Sequence, residues 1–527
     1  MKGIGAFNEV NVFRPAKKYL LRIALLYPST YEASITNLFT HIAYYYLAHE
    51  PGILIDRFTL DNPHFGALTG YGLKDFDVIL ASISYELDLI NLIKMLLNNG
   101  INPQAKKRRK PFIIIGGIPP TANPMPYSAI GDAVFVGEGE LVLELLKELV
   151  NEIKITNLDN KETLLSMLYD RSRSIYSDVL ESWGIIDKLT KFYVKDLNKS
   201  FHPTLQIRSL LKSPVYGEGY YVEASRGCKW LCPFCLESYV TYPFRFRSLT
   251  KILELIDDGL KHAKERRVIF LSLSFFDHPD STKILTSLLE NGIKFSVPSL
   301  RYDTLDEFKV DLILKGGQKT ITIAPETVEE IPSCAIRKCF KGEEITQLVR
   351  YILSKGANVK LYFMVGIPGE SDDVGRKIAK FINDILNKSR IVRRKQVRLT
   401  VNPLIPKPNT PMQYLGMISK KEFRKKVKEL ISGIESKSIV RINVYEWNYA
   451  YVQAAIGLGD KNLGNILINA AQEGIGISKL RLMLKHYERR VLMDKDTSEP
   501  FPWNIVELGL SALVRHLGKA LLNIKSS

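Results

Sequence analysis

Short apolar runs alternate with amphipathic stretches over the first 150 residues of the chain. The runs with the character of buried strands are LRIALLY, ILIDRF, DVILAS, FIIIGG and AVFVGEG, and the segments between them have helical spacing. Near-continuous apolar strands separated by helices are typical of a parallel sheet that is covered on both faces. The pattern therefore predicts a doubly wound α/β domain, Rossmann-like or flavodoxin-like, over residues 1–150.

A second alternation begins near residue 218. Apolar runs followed by helical stretches predict six strands, which begin at Tyr220, Val268, Ile293, Lys319, Asn358 and Gln396. Six successive βα units predict a partial (β/α)6 barrel of the TIM type over residues 218–440. Residues 151–217 have no clear period and are interpreted as a connector. Residues 441–527 are predicted to form a helical C-terminal domain.

The cysteines are few and lie in the middle of the chain. They are Cys228, Cys232, Cys235, Cys334 and Cys339, an odd number that does not suggest a disulfide framework. We interpret the last two as partly buried thiols.

The first three cysteines form a C-x3-C-x2-C motif directly after the first predicted barrel strand, in SRGCKWLCPFCLE. Thiolates are the soft ligands that iron–sulfur clusters require, and a cubane held by three of them leaves one iron open to a small molecule. We therefore predict a [4Fe-4S] cluster on Cys228, Cys232 and Cys235. The neighbouring Arg226 and Lys229 are expected to favour the thiolate form.

Another class of protein fits the same spacing. Zinc takes four ligands in a structural site, and the histidines nearest in sequence are His202 and His262. A distant fourth ligand would complete such a site. A non-catalytic iron–sulfur or zinc protein is therefore an alternative at this point.

The motif resembles the signature of the radical SAM enzymes, C-x3-C-x-aromatic-C, with Phe234 in the aromatic place. The resemblance implies that the open iron binds S-adenosylmethionine. It also implies an enzyme that cleaves this molecule reductively to a 5'-deoxyadenosyl radical, which acts on a substrate that the sequence does not identify. An electron donor such as a ferredoxin or flavodoxin is implied as a partner.

Other strand ends agree with this resemblance. In MVGIPGE, Gly366 and Ile367 are similar to the family's adenine-side motif. Arg301 in VPSLR and Glu326 in TIAPE lie where family members contact the ribose and the methionine carboxylate, although a rim ion pair is an equally good interpretation of each. The segment VNPLIPKPNTP is similar to a turn of methylthiotransferase-like members.

One segment departs from the family. Many members carry Gly-Gly-Glu after the second strand to hold the methionine amino group, whereas this chain has LSLSFFD. Backbone carbonyls, Ser272 or Ser274 are the candidates to replace it.

The N-terminal sheet ahead of the barrel resembles the cobalamin-binding subgroup. Ser82, Ser84, Gly116 and Gly117 are the residues expected to line a corrin pocket, at the carboxyl edge where open parallel sheets bind ligands. The D-x-H-x-x-G motif of a lower axial histidine is absent, and DNPHFG at residues 61–66 has its histidine misplaced by one. A cobalamin-dependent methyl transfer, a vestigial scaffold and a substrate-docking domain all remain interpretations of this domain.

Charge adds a second enzyme hypothesis. The formal net charge is +17 and the pI about 9.3, a balance that favours polyanions such as RNA. The basic runs at residues 106–110, 393–395 and 420–428 are also compatible with solvated loops and helix faces. Radical SAM modification of tRNA or rRNA without cobalamin is therefore the alternative function.

The sequence offers no targeting or membrane signal. The first 19 residues contain charges and lack an uninterrupted apolar core, and no window holds the ~20 apolar residues of a membrane span. Free thiols and an exposed cluster both suit a reducing compartment. We therefore expect a cytoplasmic protein without a membrane partner.

Overall fold

The computed structural model describes residues 3–14, 18–153, 160–298, 300–387, 389 and 396–526. Its three sheets of three or more strands are parallel or largely parallel and are surrounded by helices. None of the helices in these ranges is long and apolar enough to cross a membrane.

The N-terminal sheet has six strands, and its first five, in sheet order, are parallel. The sixth strand lies at the edge, is antiparallel, and comes from the segment interpreted as a connector. In sheet order the strands are Ile53–Thr59, Leu21–Tyr27, Val78–Ile83, Phe112–Gly117, Ala133–Phe135 and Ile175–Tyr176. The predicted doubly wound α/β sheet is confirmed.

Helices pack against this sheet and bury its strands, which are mostly apolar. Every residue of Ile53–Thr59 is buried, as are most residues of the other central strands. The helices of this region and of the connector are Tyr31–Ser34, Leu38–Ala48, Asp88–Asn98, Ile118–Ala122, Glu140–Ile153, Lys161–Ser172 and Asp178–Ser182.

The central region contains two parallel sheets. The three-stranded sheet has the order Tyr220–Glu223, Arg267–Leu271, Lys294–Ser296. The four-stranded sheet has the order Thr320–Glu326, Asn358–Val365, Val397–Pro403, Val440–Val444. An isolated parallel bridge between Leu300 and Ile323 connects them. The six predicted strands are present, but they lie in two sheets, so that the barrel stays a prediction.

Val440–Val444 is a seventh parallel strand that the sequence pattern missed. It pairs with Val397–Pro403 at the edge of the four-stranded sheet, and only Val440 is buried. An edge strand with one buried residue has too little apolar periodicity to be recognised.

Helices cover one face of the four-stranded sheet and leave the other open. Val359, Leu361, Val397 and Leu399 belong to the main hydrophobic core, whereas the residues between them are exposed or half-buried. The helices of the central region are Leu236–Val240, Leu249–Leu260, Ser281–Glu290, Glu307–Lys315, Glu330–Ala335, Gly342–Ser354, Val374–Asn387 and Lys420–Gly433.

The C-terminal region is helical, as predicted. Its helices are Trp447–Gly457, Lys461–Gln472, Ile477–Met483, Glu488–Leu492 and Ser511–Ser526. The last helix packs closely on Tyr414 at Gly518. A Cβ atom at that position would lie 2.3 Å from the Tyr414 ring, so the contact requires glycine.

Buried polar contacts fix the N-terminal sheet against the C-terminal helices. The carboxylate of Glu86 accepts from Gln453 Nε2 at 2.9 Å and pairs with Lys407. The amide of Asn123 donates to the carbonyls of Gly457 and Gly459 at 2.9 and 2.8 Å. These contacts are buried, and each would cost free energy if the two regions separated. The space between the N-terminal and central sheets is therefore a fixed part of the fold.

Candidate functional site

The three cysteines lie on a loop between the short strand Ser225–Arg226 and the helix Leu236–Val240. Gly227 opens the loop with φ of +85°, and a Cβ there would lie 2.5 Å from the Pro243 carbonyl oxygen. Glycine is therefore required at this turn. The Cys235 amide donates to the Cys232 carbonyl at 2.9 Å, which closes the turn around the thiols.

Cys228 and Cys232 are buried, Cys235 is half-buried, and none of the three is in a disulfide. Burial raises the pKa of each thiol, that of Cys235 to about 12. The expected thiolate-favouring effect of Arg226 and Lys229 is absent, because both cations are paired with carboxylates. Arg226 contacts Glu138, Glu140 and Glu223, and Lys229 lies 3.1 Å from Asp277.

The thiols suit a cluster better than a single ion. Among the described residues, no group of three His, Cys, Asp or Glu side chains is placed to hold one metal ion. A cubane differs, since its thiolates bind separate iron atoms and need not converge on one point. Three thiols on one loop, each without a disulfide partner, are the donor set that such a cluster requires.

Arg301 reaches the thiol loop. Its Nη1 lies 3.3 Å from Cys232 Sγ, and its guanidinium carbon lies 3.9 Å from the centre of the Trp230 ring. Nη2 pairs with Asp303 at 2.7 Å. Arg301 therefore forms the ion pair expected of one interpretation, and its predicted contact with S-adenosylmethionine stays a prediction.

Glu326 and Phe234 are connected through Lys338. Lys338 Nζ lies 2.6 Å from Glu326 Oε1 and 5.5 Å from the centre of the Phe234 ring. Glu326 has φ of +69°, a conformation that non-glycine residues rarely adopt. Strain of this kind persists only where neighbouring contacts hold it, and Lys338 supplies such a contact.

Gly366 and Ile367 form a turn after the strand Asn358–Val365. Both backbone amides donate to Glu370 Oε2, at 2.9 and 3.3 Å, and Glu370 Oε1 pairs with Lys426 at 2.8 Å. The amides are therefore engaged within the protein. The Ile367 side chain is buried in an apolar cluster against which Phe234 packs.

The segment that replaces Gly-Gly-Glu lies against the thiol loop. Ser272 Oγ is 2.7 Å from Ser225 Oγ, and the Ser274 hydroxyl is buried without a hydrogen-bond partner among the described residues. Asp277 accepts from Trp230 Nε1 at 2.6 Å. Ser274 is the group here that still lacks a partner.

A cavity of about 600 Å³ lies at the carboxyl edge of the N-terminal sheet. All four residues predicted for a corrin pocket, Ser82, Ser84, Gly116 and Gly117, line it. No histidine is among the described residues that line it, and His64 is exposed elsewhere. We call it the sheet-edge cavity.

A second cavity of about 910 Å³ lies between the two central sheets, and we call it the central cavity. Ser225, Gly227 and Ser272 line it beside the thiol loop, and Arg267 and Lys319 line it at the other end. The two cavities adjoin each other, because they share lining residues that include Asn37, Tyr216, Glu223, Arg226, Glu237 and Leu271.

Arg226 joins the thiol loop to the N-terminal sheet. Its guanidinium lies 2.7 Å from Glu138, 2.8 Å from Glu140 and 2.7 Å from Glu223. Arg245 adds a contact of 2.7 Å to Glu138. Burial opposes ionisation of Glu223, but Arg226 and then Arg247 outweigh it and lower the pKa of that carboxyl to about 2.

We expect Arg226→Met to lower the free energy of unfolding by about 3–5 kcal/mol, because it removes a cation that pairs with three largely buried carboxylates. Among the described residues Glu140 is then left without an ion pair, whereas Glu138 and Glu223 keep one each. Denaturation of the apoprotein by guanidinium measures the change. Lys251→Met removes an exposed i,i+3 pair and is the control, with an expected change below about 1 kcal/mol. Equal losses in the two variants would contradict this account.

Several site residues were missed in the sequence. The run AVFVGEG was interpreted only as a strand, yet Glu138 within it and Glu140 after it make the contacts to Arg226. Trp230 and Lys338 lie beside Arg301 and Glu326, and nothing in their spacing marked them. Cys334 and Cys339, interpreted as separate thiols, form a disulfide. The basic run at residues 393–395 lies outside the described residues.

Family models match two parts of the chain. Residues 40–176 match the model described as radical SAM proteins, N-terminal, and residues 222–382 match that of the radical SAM superfamily. The uncharacterized protein MJ0966 of Methanocaldococcus jannaschii is 29% identical over 85% of this chain and 91% of its own length. Cytidylyl-2-hydroxyethylphosphonate methyltransferase of Streptomyces wedmorensis is 22% identical over 58% of this chain and 63% of its own.

The overall fold is also found among solved structures. The radical S-adenosylmethionine methyltransferase TsrM of Kitasatospora setae, with cobalamin and a [4Fe-4S] cluster bound, gives a TM-score of 0.55 at 11% identity, over 89% of this chain and 98% of TsrM. The same enzyme with tryptophan substrate and a SAM analogue gives 0.54 at 12% identity over the same shares. At these TM-scores the two proteins share an overall fold.

Proposed function

Because this chain belongs to the radical SAM superfamily, we propose that it is a cobalamin-dependent radical SAM methyltransferase. In this proposal Cys228, Cys232 and Cys235 hold a [4Fe-4S] cluster, and the sheet-edge cavity holds the corrin. An enzyme of this superfamily also needs a reductant, for which a ferredoxin or flavodoxin is the proposed source. The family match favours this class over a non-catalytic iron–sulfur or zinc protein.

A cluster bound to these thiols would supply an electron to the sulfonium of S-adenosylmethionine. The chain supplies the surroundings of that reaction. Arg301 and Lys338 place two cations near Cys232, which favours negative charge on the ligated sulfur. Trp230 and Phe234, both on the thiol loop, pack their rings against these two cations and hold them beside the thiols.

Residues at the strand ends are proposed to bind S-adenosylmethionine. Arg301 and Glu326 are the charged candidates, one beside the thiols and the other held by Lys338. The Gly366–Ile367 turn presents an apolar surface next to Phe234, and Glu370 and Lys426 hold that turn in place. Ser274, with its unpartnered hydroxyl, is proposed to contact the methionine amino group in place of the missing Gly-Gly-Glu.

The observation that carries the corrin proposal is that the two cavities adjoin. Arg226, Glu223 and Glu237 line both cavities, so a ligand at the carboxyl edge of the N-terminal sheet would be separated from the thiol loop by these side chains. Cobalamin supplies methyl-transfer chemistry, and small residues such as Ser82, Gly116 and Gly117 leave room for a large planar ligand. The absence of histidine from the described lining fits a corrin bound without a lower protein ligand.

Corrin binding and turnover test this function directly. After anaerobic reconstitution with iron, sulfide and hydroxocobalamin, we expect about one corrin to stay bound per chain. Under dithionite, we expect S-adenosylhomocysteine to form from S-adenosylmethionine only in the corrin-loaded protein. A chain that retains no corrin but still produces 5'-deoxyadenosine would remove the methyltransferase branch and leave a radical SAM enzyme without cobalamin.

RNA modification is the second candidate function. It is favoured by an open, basic sheet face that continues the wall of the central cavity.

A further inference from the structure

Three cations lie side by side on the open face of the four-stranded sheet. Lys360 is in register with Arg398, and Arg398 with Arg441. Neighbouring strands are about 4.8 Å apart, and residues in register point to the same face. We call Lys360, Arg398 and Arg441 the basic row.

The basic row continues the wall of the central cavity. Thr322 lines that cavity and is in register with Lys360, which places the row on the same face. Val359, Val397 and Leu399, which alternate with the row, point to the opposite face and are buried in the core. Arg398 and Arg441 are exposed and Lys360 is half-buried, so that the row is accessible from the cavity side.

The basic row forms no ion pair with any carboxylate in the described ranges of the chain. The same is true of Arg267 and Lys319, which line the central cavity. Lys360 Nζ instead lies 2.6 Å from the Tyr362 hydroxyl, and Arg267 contacts Ser296 Oγ. The carboxylates that line the cavity, Glu223 and Glu237, are at the thiol-loop end, and Glu223 is held by Arg226 and Arg247.

This arrangement has an energetic cost in the unbound protein. Like charges directly opposite on neighbouring strands destabilise a sheet. The basic row contains two such contacts in succession. An anion with several oxygens would remove the repulsion and satisfy the guanidinium donors, and phosphate matches the donor geometry of arginine.

We propose that the basic row binds the phosphate groups of the substrate. The row lies near the amino ends of the strands, whereas the Gly366–Ile367 turn and the thiol loop follow carboxyl ends. Arg398 to Pro403 spans five residues, so the row lies about 16 Å from the carboxyl edge of its own sheet. A substrate that contacts both the row and the carboxyl edge is therefore extended. This inference rests on the proposed function, which places the reaction at the thiol loop.

Two phosphate sources fit this geometry, a nucleotide-linked small molecule and an RNA strand. The test uses reconstituted full-length protein and two probes, a fluorescent single-stranded RNA of about 20 nucleotides and CTP. The row variant is Lys360→Gln, Arg398→Gln and Arg441→Gln combined. The control removes the same charge from the exposed face of the helix Lys420–Gly433, by combining Lys421→Gln, Arg424→Gln and Lys425→Gln.

We expect the wild type and the control to bind and the row variant to bind at least about tenfold more weakly. In titrations against salt, the loss of three phosphate contacts should reduce the slope of log K against log salt by about 2, at ~0.7 per contact. RNA binding that CTP does not displace would identify an RNA substrate. CTP binding without RNA binding would identify a nucleotide-linked small molecule.

Three results would overturn the proposal: wild-type protein that binds neither probe, a row variant that binds like the wild type, or equal losses in the row variant and the control. A thermal melt of the unliganded proteins gives an independent readout. Because repulsion is removed, the row variant should melt above the wild type at ~20 mM salt, whereas the control should not. Neither measurement depends on cluster chemistry, so failure here is distinct from failure of the proposed methyl transfer.

Discussion

Replacing Cys232 with alanine is expected to abolish both cluster assembly and the cleavage of S-adenosylmethionine. Cys232 is buried, lies in the middle of the thiol loop and contacts Arg301 at 3.3 Å. Loss of an outer-shell partner of a metal site already costs roughly 10–100-fold, and the loss of a ligand should cost more. We therefore expect 5'-deoxyadenosine production to fall by well over 100-fold. Iron and sulfide analysis and product quantification under dithionite measure the two effects.

The chain provides a matched control for this variant. Cys334 and Cys339 are bonded to each other and are not on the thiol loop, so their joint replacement by alanine removes two cysteines without removing a proposed ligand. We expect that variant to keep full iron and sulfide. The cluster assignment would be contradicted if Cys232→Ala kept its iron and its activity, or if the control lost iron to the same extent.

The cysteine loop and most strands could be predicted because their signals are local. The spacing of Cys228, Cys232 and Cys235 is contained in a few residues, and each buried strand is a short apolar run. The strand Val440–Val444 carries no such signal, because its polar residues face an open surface and only Val440 is buried. It was therefore missed, although it completes the four-stranded sheet.

Contacts between distant segments could not be predicted in the same way. Arg226 meets Glu138 and Glu140, which are more than 80 residues away, and charged residues of either sign are common at such positions. The basic row could not be predicted for the same reason. Lys360, Arg398 and Arg441 come from three strands and become neighbours only through the register of the sheet. The net charge of +17 indicated a basic protein but not this surface.

Filling the sheet-edge cavity at Gly116 is expected to block corrin binding while sparing the cluster. Gly116 lines the cavity, and a Cβ added there would meet only Phe135 Cβ, at 3.9 Å. Leucine at this position therefore enters the cavity without backbone conflict. Gly117 differs, because its φ is +130° and a Cβ would lie 1.9 Å from the Ile83 carbonyl oxygen. Gly116 is accordingly the position at which the cavity can be changed and the sheet kept.

The expected size of the effect follows from the cost of overpacking. Forcing extra methylene groups into an occupied site costs about 1–3 kcal/mol, which corresponds to corrin binding that is roughly 5–150-fold weaker. Gly116→Ala adds a single methyl group and serves as the control, with near wild-type affinity. Equilibrium dialysis with hydroxocobalamin measures the affinity, and iron content and 5'-deoxyadenosine production should be unchanged in both variants.

The outcome distinguishes the interpretations of the N-terminal sheet. Loss of corrin in Gly116→Leu, with the cluster intact, would place cobalamin at the carboxyl edge of the sheet, in the cavity that adjoins the central cavity. Wild-type affinity in the leucine variant would contradict that location. If neither the wild type nor the variant binds corrin, the sheet-edge cavity would be available to the substrate. The phosphate contacts proposed for the basic row would then be the stronger indication of what the enzyme modifies.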